Sequence, residues 1–344
     1  MSKTSSRKKD HVDLCVNEQV SFRQKSNGFD RWEFSHNALP ELNTEDIDTS
    51  VEFLGRTLSY PLLITGMTGG YEEAERINGQ LAEAAEDLSL AIGAGSMRQA
   101  LESETWHESY RILRKNAPTI PILANIGAVE VAAMEDARPA RYLIDLIEAD
   151  ALVVHTNPLQ EFLQPEGEAR FRGVLDGLAM LVRELEIPVI LKEVGAGISR
   201  EAATRAYEVG VRWVDIAGAG GTSWAGVEIL RRQDGCEVSP AFWDWGIPTA
   251  DALEELRVNR PEDMRIIASG GISDGVMIAK ALALGADLAG SARPLLTALV
   301  NEGVDALRNR LCGWKRDLTG VMFLTGAADI AALRRKPIHK RKHG

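Results

Sequence analysis

Ala151-Leu152-Val153-Val154-His155-Thr156-Asn157-Pro158-Leu159-Gln160-Glu161 is the stretch on which the reading of the fold turns. Its first four residues form a short, unalternating apolar run, as a strand buried on both faces does. His, Asn, Gln and Glu then follow within seven residues, although core packing asks for no polarity there. A barrel mouth does, because (β/α)8 enzymes place their chemistry at the C-terminal ends of strands. A capped strand end followed by a polar turn is the plainer account, so the flanking sequence has to decide.

The same unit recurs on both sides. Upstream, Leu62-Leu63-Ile64-Thr65 ends at Gly66-Met67-Thr68-Gly69-Gly70, Leu90-Ala91-Ile92 runs into Gly95-Ser96-Met97-Arg98, and Pro121-Ile122-Leu123-Ala124 ends at Asn125-Ile126-Gly127-Ala128. Downstream, Pro188-Val189-Ile190-Leu191 ends at Lys192-Glu193, and Trp213-Val214-Asp215-Ile216-Ala217 runs into a glycine-rich loop at 218–224. Arg265-Ile266-Ile267-Ala268-Ser269 ends at Gly270-Gly271, and Ala286-Asp287-Leu288-Ala289 at Gly290-Ser291-Ala292-Arg293. Helical patterns fall between them, at 72–88, 139–148, 173–185, 199–209, 250–256 and 275–284, with Ser199 as the expected N-cap of its helix. Eight strand–helix units in about 230 residues is the span of a TIM barrel. A doubly wound sheet would show about six strands and GxGxxG after the first, and that fingerprint is absent. The expected architecture is one α/β (β/α)8 barrel at 61–333, an irregular N-terminal arm and approach segment at 1–60, and a solvated basic tail at 334–344.

Bulk composition narrows the function. A net charge of −11 over 344 residues excludes the broad basic face of a nucleic-acid binder. Cys15, Cys236 and Cys312 show no CxxC spacing and leave one thiol over in any disulfide scheme, which points to a reducing, cytoplasmic setting without a structural zinc. No run approaches 18 apolar residues and no apolar leader segment opens the chain, so neither a membrane nor export is expected.

The strand ends then carry the chemistry. Gly270-Gly271 and Gly290-Ser291-Ala292-Arg293 match the barrel phosphate site after strands seven and eight, with Thr222 as a further hydroxyl. Lys192 ends a buried strand, where an unpaired ammonium is costly. It suits a Schiff base with a carbonyl substrate, or the pyrimidine edge of a flavin. Thr68, Ser96 and Asn125 complete a polar ring that a Schiff-base enzyme does not need, which favours FMN. Arg7, Lys8, His11, Arg98 and His155 form a second cationic set suited to a diphosphate. Glu161 then has a use, because one carboxylate with phosphate oxygens and water is how Mg²⁺ is usually held.

These segments together resemble the type 2 isopentenyl-diphosphate isomerases. The likeness rests on Arg7-Lys8-Lys9-Asp10-His11, Met67-Thr68-Gly69-Gly70, Gly95-Ser96-Met97-Arg98, Asn125-Ile126-Gly127-Ala128, His155 through Glu161, Lys192-Glu193-Val194-Gly195, the loop 218–224 and Ser269-Gly270-Gly271-Ile272, in that order along nearly the whole chain. It implies interconversion of isopentenyl and dimethylallyl diphosphate by a symmetric homo-oligomer, a tetramer or octamer, with FMN, Mg²⁺ and NADPH as flavin reductant. It assigns FMN to Gly66, Met67, Thr68, Ser96, Asn125, Lys192, Thr222, Gly270, Gly271, Ile272, Ser273, Ala292 and Arg293. It assigns the substrate to Arg7, Lys8, His11, Ser96, Arg98, His155 and Gln160, catalysis to Gln160, His155 and Asn157, and the metal to Glu161. Ser273-Asp274 stands where the family is expected to carry Arg followed by a small or polar residue, and the added negative charge predicts weaker FMN binding. Two rivals are a 2-hydroxy-acid oxidase, which needs a histidine base near the last strands, and a phosphate-binding barrel without turnover. The arm is expected to move when no substrate is bound.

Overall fold

Eight parallel strands close on themselves: β1 (Leu62–Ile64), β2 (Ala91–Gly93), β3 (Ile122–Gly127), β4 (Ala151–Thr156), β5 (Val189–Glu193), β6 (Trp213–Asp215), β7 (Arg265–Ser269) and β8 (Leu288–Ser291), with β8 hydrogen-bonded back to β1. The computed structural model describes residues 3–232 and 237–341, residues 3–6 by backbone alone; Cys236 and Lys342 lie outside the described residues. Period two along each strand divides its side chains between two apolar layers. Leu63, Ala91, Leu123, Val153, Ile190, Ile267 and Leu288 point into the barrel and pack on one another, whereas Leu62, Ile92, Ile122, Leu152, Val189, Val214 and Ile266 face the helices. A hairpin, Val51–Phe53 paired with Arg56–Leu58, plugs the barrel floor through Phe53 and Leu58.

The intervening helices begin and end within two residues of the sequence expectation, for example Ala74–Asp87, Arg138–Ile147 and Gly275–Ala283. Ser199 does cap its helix, accepting from Ala202 N. Five helices matter below: α1 (Lys3–Asn17), α2 (Pro158–Leu163) after β4, α3 (Trp224–Arg231) after β6, α4 (Arg293–Glu302) after β8, and α5 (Val304–Thr325). The long α5 was not expected; it packs on α4 and on the first and seventh barrel helices.

Both chain ends correct the sequence reading. The arm is not irregular: α1 packs on α3 and α4, with Val12 and Cys15 buried. Its polar sequence, weak in periodicity, hides a helix whose buried side packs Val12 and Cys15 on apolar neighbours and turns Arg7, Lys8 and His11 to the cavity. The basic tail is not merely solvated either. Ile338–Lys340 pairs antiparallel with Trp32–Phe34, Lys340 bonds Glu254 at 2.6 Å, and the Lys340 ammonium lies 5.3 Å from the centre of the buried Trp32 ring. Arg341 pairs with Glu33 and Arg334 donates to the Asp287 carbonyl. Surface ion pairs alone contribute little, so the strand pairing and the covered tryptophan are what fix this segment.

Candidate active site

The period that fills the barrel also builds its mouth. Two residues beyond the inward Leu123, Val153, Ile190, Trp213 and Ile267 come Asn125, His155, Lys192, Asp215 and Ser269, and the register sets His155 beside Lys192 and Lys192 beside Asp215. Asp215 is buried at 1% exposure; Lys192 Nζ lies 3.3 Å from its Oδ2, and Ser269 Oγ donates to its Oδ1 at 2.5 Å. Lys192 also donates to the Glu193 carbonyl at 2.9 Å. The Glu193 carboxylate in turn gathers the N–H groups of residues 194–197 at 2.5–3.2 Å, which stiffens the loop that follows Lys192 and the end of β5.

Every residue assigned from the sequence to FMN, substrate, catalysis or the metal lines one cavity of about 420 Å³ at this mouth, a volume in the usual range of small-molecule sites. From α1, Arg7, Lys8, His11, Val12 and Cys15 form one cavity-facing helix side. Lys8 Nζ donates to the Ser96 carbonyl at 2.8 Å and to the Tyr110 hydroxyl at 2.9 Å. Arg98 meets Glu102 at 3.1 Å and Glu130 at 3.0 Å.

His155 departs from the sequence reading, which counted it among the cations. Asn125 Nδ2 donates to the Ala94 carbonyl at 3.0 Å, so its Oδ1 is the atom 2.8 Å from His155 Nδ1, and that nitrogen must carry the proton. Burial, reinforced by Lys192 and Lys8, lowers His155 to about 4. At neutral pH the ring is therefore neutral, with Nε2 a bare acceptor.

A hydrogen-bonded run crosses the heptad. Asn157 Nδ2 donates to Glu161 Oε1 at 3.0 Å and to Gln160 Oε1 at 3.1 Å, and Gln160 Nε2 donates to Glu228 Oε1 at 3.1 Å. Glu228 is fully buried and also holds His11 Nε2 at 2.9 Å and Arg231 at 2.5 Å. Burial acts to raise the Glu228 carboxyl, but the bonds from His11 and Gln160 and the charge of Arg231 bring it below the usual range. The sequence reading missed Glu228, Asp215, Ser269, Glu130 and Tyr110. For Asp215 and Ser269 the signal was present, since both sit two residues past an inward barrel position. Glu228, inside the apolar run of α3, is recognisable only once His11 is known to lie beside it.

Across the barrel, the loops after β6 and β7 nest backbone on backbone. A Cβ on Gly221 would come within 2.6 Å of Gly271 N, and one on Gly270 within 2.2 Å of the Gly218 carbonyl. Gly270 and Gly271 have φ of 104° and 76°, open to glycine and strained for other residues. Asp274 caps the helix Gly275–Ala283, accepting from Met277 N at 2.6 Å, while Ser273 lines the cavity.

The FMN-dependent dehydrogenase family matches residues 2–108 and 158–340. The isopentenyl-diphosphate delta-isomerase of Pelodictyon phaeoclathratiforme is 47% identical over 350 residues, covering 98% of this chain and 97% of that protein. That of Nostoc sp. is 45% identical over 335 residues, covering 97% and 95%. Among solved structures, a putative lactate oxidase of Pediococcus acidilactici superposes with a TM-score of 0.70 at 15% identity, covering 98% of this chain and 94% of the other. A mandelate oxidase with (S)-2-phenylpropionate gives 0.66 at 17%, covering 96% and 94%. At those identities the likeness is one of fold. The stretch that the family match leaves out, 109–157, holds Asn125, Glu130, His155 and Asn157.

Proposed function

The chain belongs to the type 2, FMN-dependent isopentenyl-diphosphate delta-isomerases, and on that footing we propose that it interconverts isopentenyl and dimethylallyl diphosphate by a 1,3-allylic proton shift, with Mg²⁺ on the diphosphate and NADPH reducing the flavin. One observation carries the reading: a single cavity has an anion-directed group on each side of the barrel, nested glycine loops after β6 and β7 and cations from α1 and the end of β2.

The donor set fits FMN. The glycine loops let main-chain N–H groups approach a phosphate, and Lys192, Asn125, Ser96 and Thr68 ring the cavity at strand ends where a flat heteroaromatic edge needs polar partners. Reduced FMN, when bound, would supply the acid and base for carbon that the side chains lack. The chain's part is to hold and shield. Lys192, kept in place by Asp215, brings a positive charge to the cavity. Arg7, Lys8 and Arg98 take the diphosphate, Arg98 leaving Glu102 and Glu130 to do so. Neutral His155 accepts through Nε2 from a protonated phosphate oxygen or water. Among the described residues no three His, Cys, Asp or Glu side chains cluster as a metal cage. Glu161 with phosphate oxygens and water suits Mg²⁺.

Conversion of isopentenyl diphosphate in the presence of FMN, Mg²⁺ and NADPH tests the reading. Product only with all three supports it; none with all three rejects it, and rejection with a stable yellow complex favours a binding barrel. An oxidase gains no support, since the β7 end carries Ser269-Gly270-Gly271 and no histidine. Two substitutions should divide the heptad. Gln160→Glu sets a carboxylate against Glu228 and should lower kcat by roughly 10–100-fold with little change in Mg²⁺ requirement. Glu161→Gln should raise the Mg²⁺ concentration for half-maximal rate about tenfold or more. Equal loss of metal response in both would reject the division.

A further inference from the structure

Arg293 stands at the first position of α4, beside the loop expected to hold the cofactor phosphate, yet its guanidinium turns toward the arm. Nε donates to the Cys15 carbonyl at 2.7 Å, one NH2 group to the Glu18 carbonyl at 3.0 Å, and the other to Ser21 Oγ at 2.8 Å. The Cys15 carbonyl belongs to the last turn of α1, where carbonyls lack helical partners and a cation is favoured by the helix dipole. Beyond α1 the chain stays on the same loops: Ser223 N donates to the Val20 carbonyl at 2.8 Å, Phe22 N to the Gly221 carbonyl at 3.3 Å, and Asn27 Nδ2 to the Gly271 carbonyl at 2.7 Å. The cavity-lining Arg7, Lys8 and His11 ride on the helix so anchored.

We propose that Arg293 is a positioning residue for substrate binding: its side chain latches the C-terminal end of α1 to the loop after β8 and sets the helix over the cavity. What Arg293 retains for a cofactor phosphate is its main-chain N–H in the first turn of α4. The proposal rests on the reading that α1 supplies diphosphate ligands, and it changes the expectation that the Arg293 side chain binds FMN.

Arg293→Met should speed amide exchange across residues 8–20 about tenfold in the ligand-free enzyme and raise KM for isopentenyl diphosphate about tenfold, the loss of charge-assisted hydrogen bonds being of that size. The FMN dissociation constant should stay within about threefold. Arg293→Lys, which keeps the charge but not the three-way fork, should behave like Arg293→Met. Ser21→Ala should give a smaller shift in the same direction and add little on the Arg293→Met background, because the two remove one interaction. Unchanged exchange across residues 8–20 in Arg293→Met overturns the latch, and so does a tenfold loss of FMN affinity with KM unmoved. Failure of the wild-type enzyme to consume isopentenyl diphosphate would count against the proposed function, while the exchange comparison would still decide the latch.

Discussion

Lys192→Met should lower kcat/KM by at least about 10²-fold and at the same time lower the melting temperature by roughly 4–7 °C. The two losses have different origins. Removing the ammonium takes from the cavity the cation expected to face the flavin, and losing one preorganised charge at a site typically costs about two to three powers of ten. It also strands Asp215, buried at 1% exposure and left, among the described residues, with Ser269 Oγ as its donor. Breaking a buried pair on one side costs about 3–5 kcal/mol, which at the unfolding entropy of a chain this long gives the stated shift. Lys192→Met/Asp215→Asn separates the two: the amide needs no counter-charge, so melting should recover most of the difference while turnover stays lost. Recovery of turnover in the double variant would mean that Lys192 serves only to neutralise Asp215.

That pair also marks how far the sequence could be read. The barrel was legible because eight apolar runs buried on both faces have few other solutions, and the mouth because each run ends in polar residues. Asp215 was within reach by strand period: like Lys192, which was noticed because it ends a buried strand, it lies two residues past an inward position. It was passed over because it stands inside an apolar run, where a carboxylate looks like a break in the strand and not like its functional end. Glu228, Glu130 and Tyr110 were out of reach. Each becomes part of the site only through a partner far along the chain: His11 for Glu228, Arg98 for Glu130 and Lys8 for Tyr110. The arm was misjudged for a related reason. Amphipathic reading expects an apolar stripe, and α1 instead turns a mixed one to the cavity, Arg7, Lys8 and His11 alongside Val12 and Cys15. The tail at 334–341 misled in the same way, its cations hiding a strand whose partner lies about 300 residues earlier.

Substrate affinity should fall as pH rises above about 7, by up to about tenfold per unit, because Lys8 loses its proton there in the free enzyme. Desolvation lowers Lys8 to about 7, the Arg7 charge adds to the effect and Glu102 opposes it. Beside it, burial and nearby cations lower His155 to about 4, which leaves it neutral through the window, and burial raises Tyr110 well above its ordinary value. The sign follows from proton counting. In the ligand-free enzyme between pH 7 and 10.5, an undocked arm holds a proton on Lys8 that the docked arm has released, so docking without ligand is opposed below pH 7 and strengthens as pH rises through that range. A bound diphosphate reverses the preference, since it stabilises the ammonium; binding above pH 7 must then take up a proton, and below pH 7 it need not. Calorimetry of inorganic diphosphate binding to the FMN-loaded, Mg²⁺-containing enzyme, in buffers of different ionisation enthalpy, should register an uptake approaching one proton at pH 8 and far less at pH 6.5. Lys8→Gln should bind more weakly at pH 6.5 and show a nearly flat affinity from 7 to 9. A wild-type affinity that is itself flat over that range would remove Lys8 from the diphosphate site, and with it the reason for α1 to turn its cations inward.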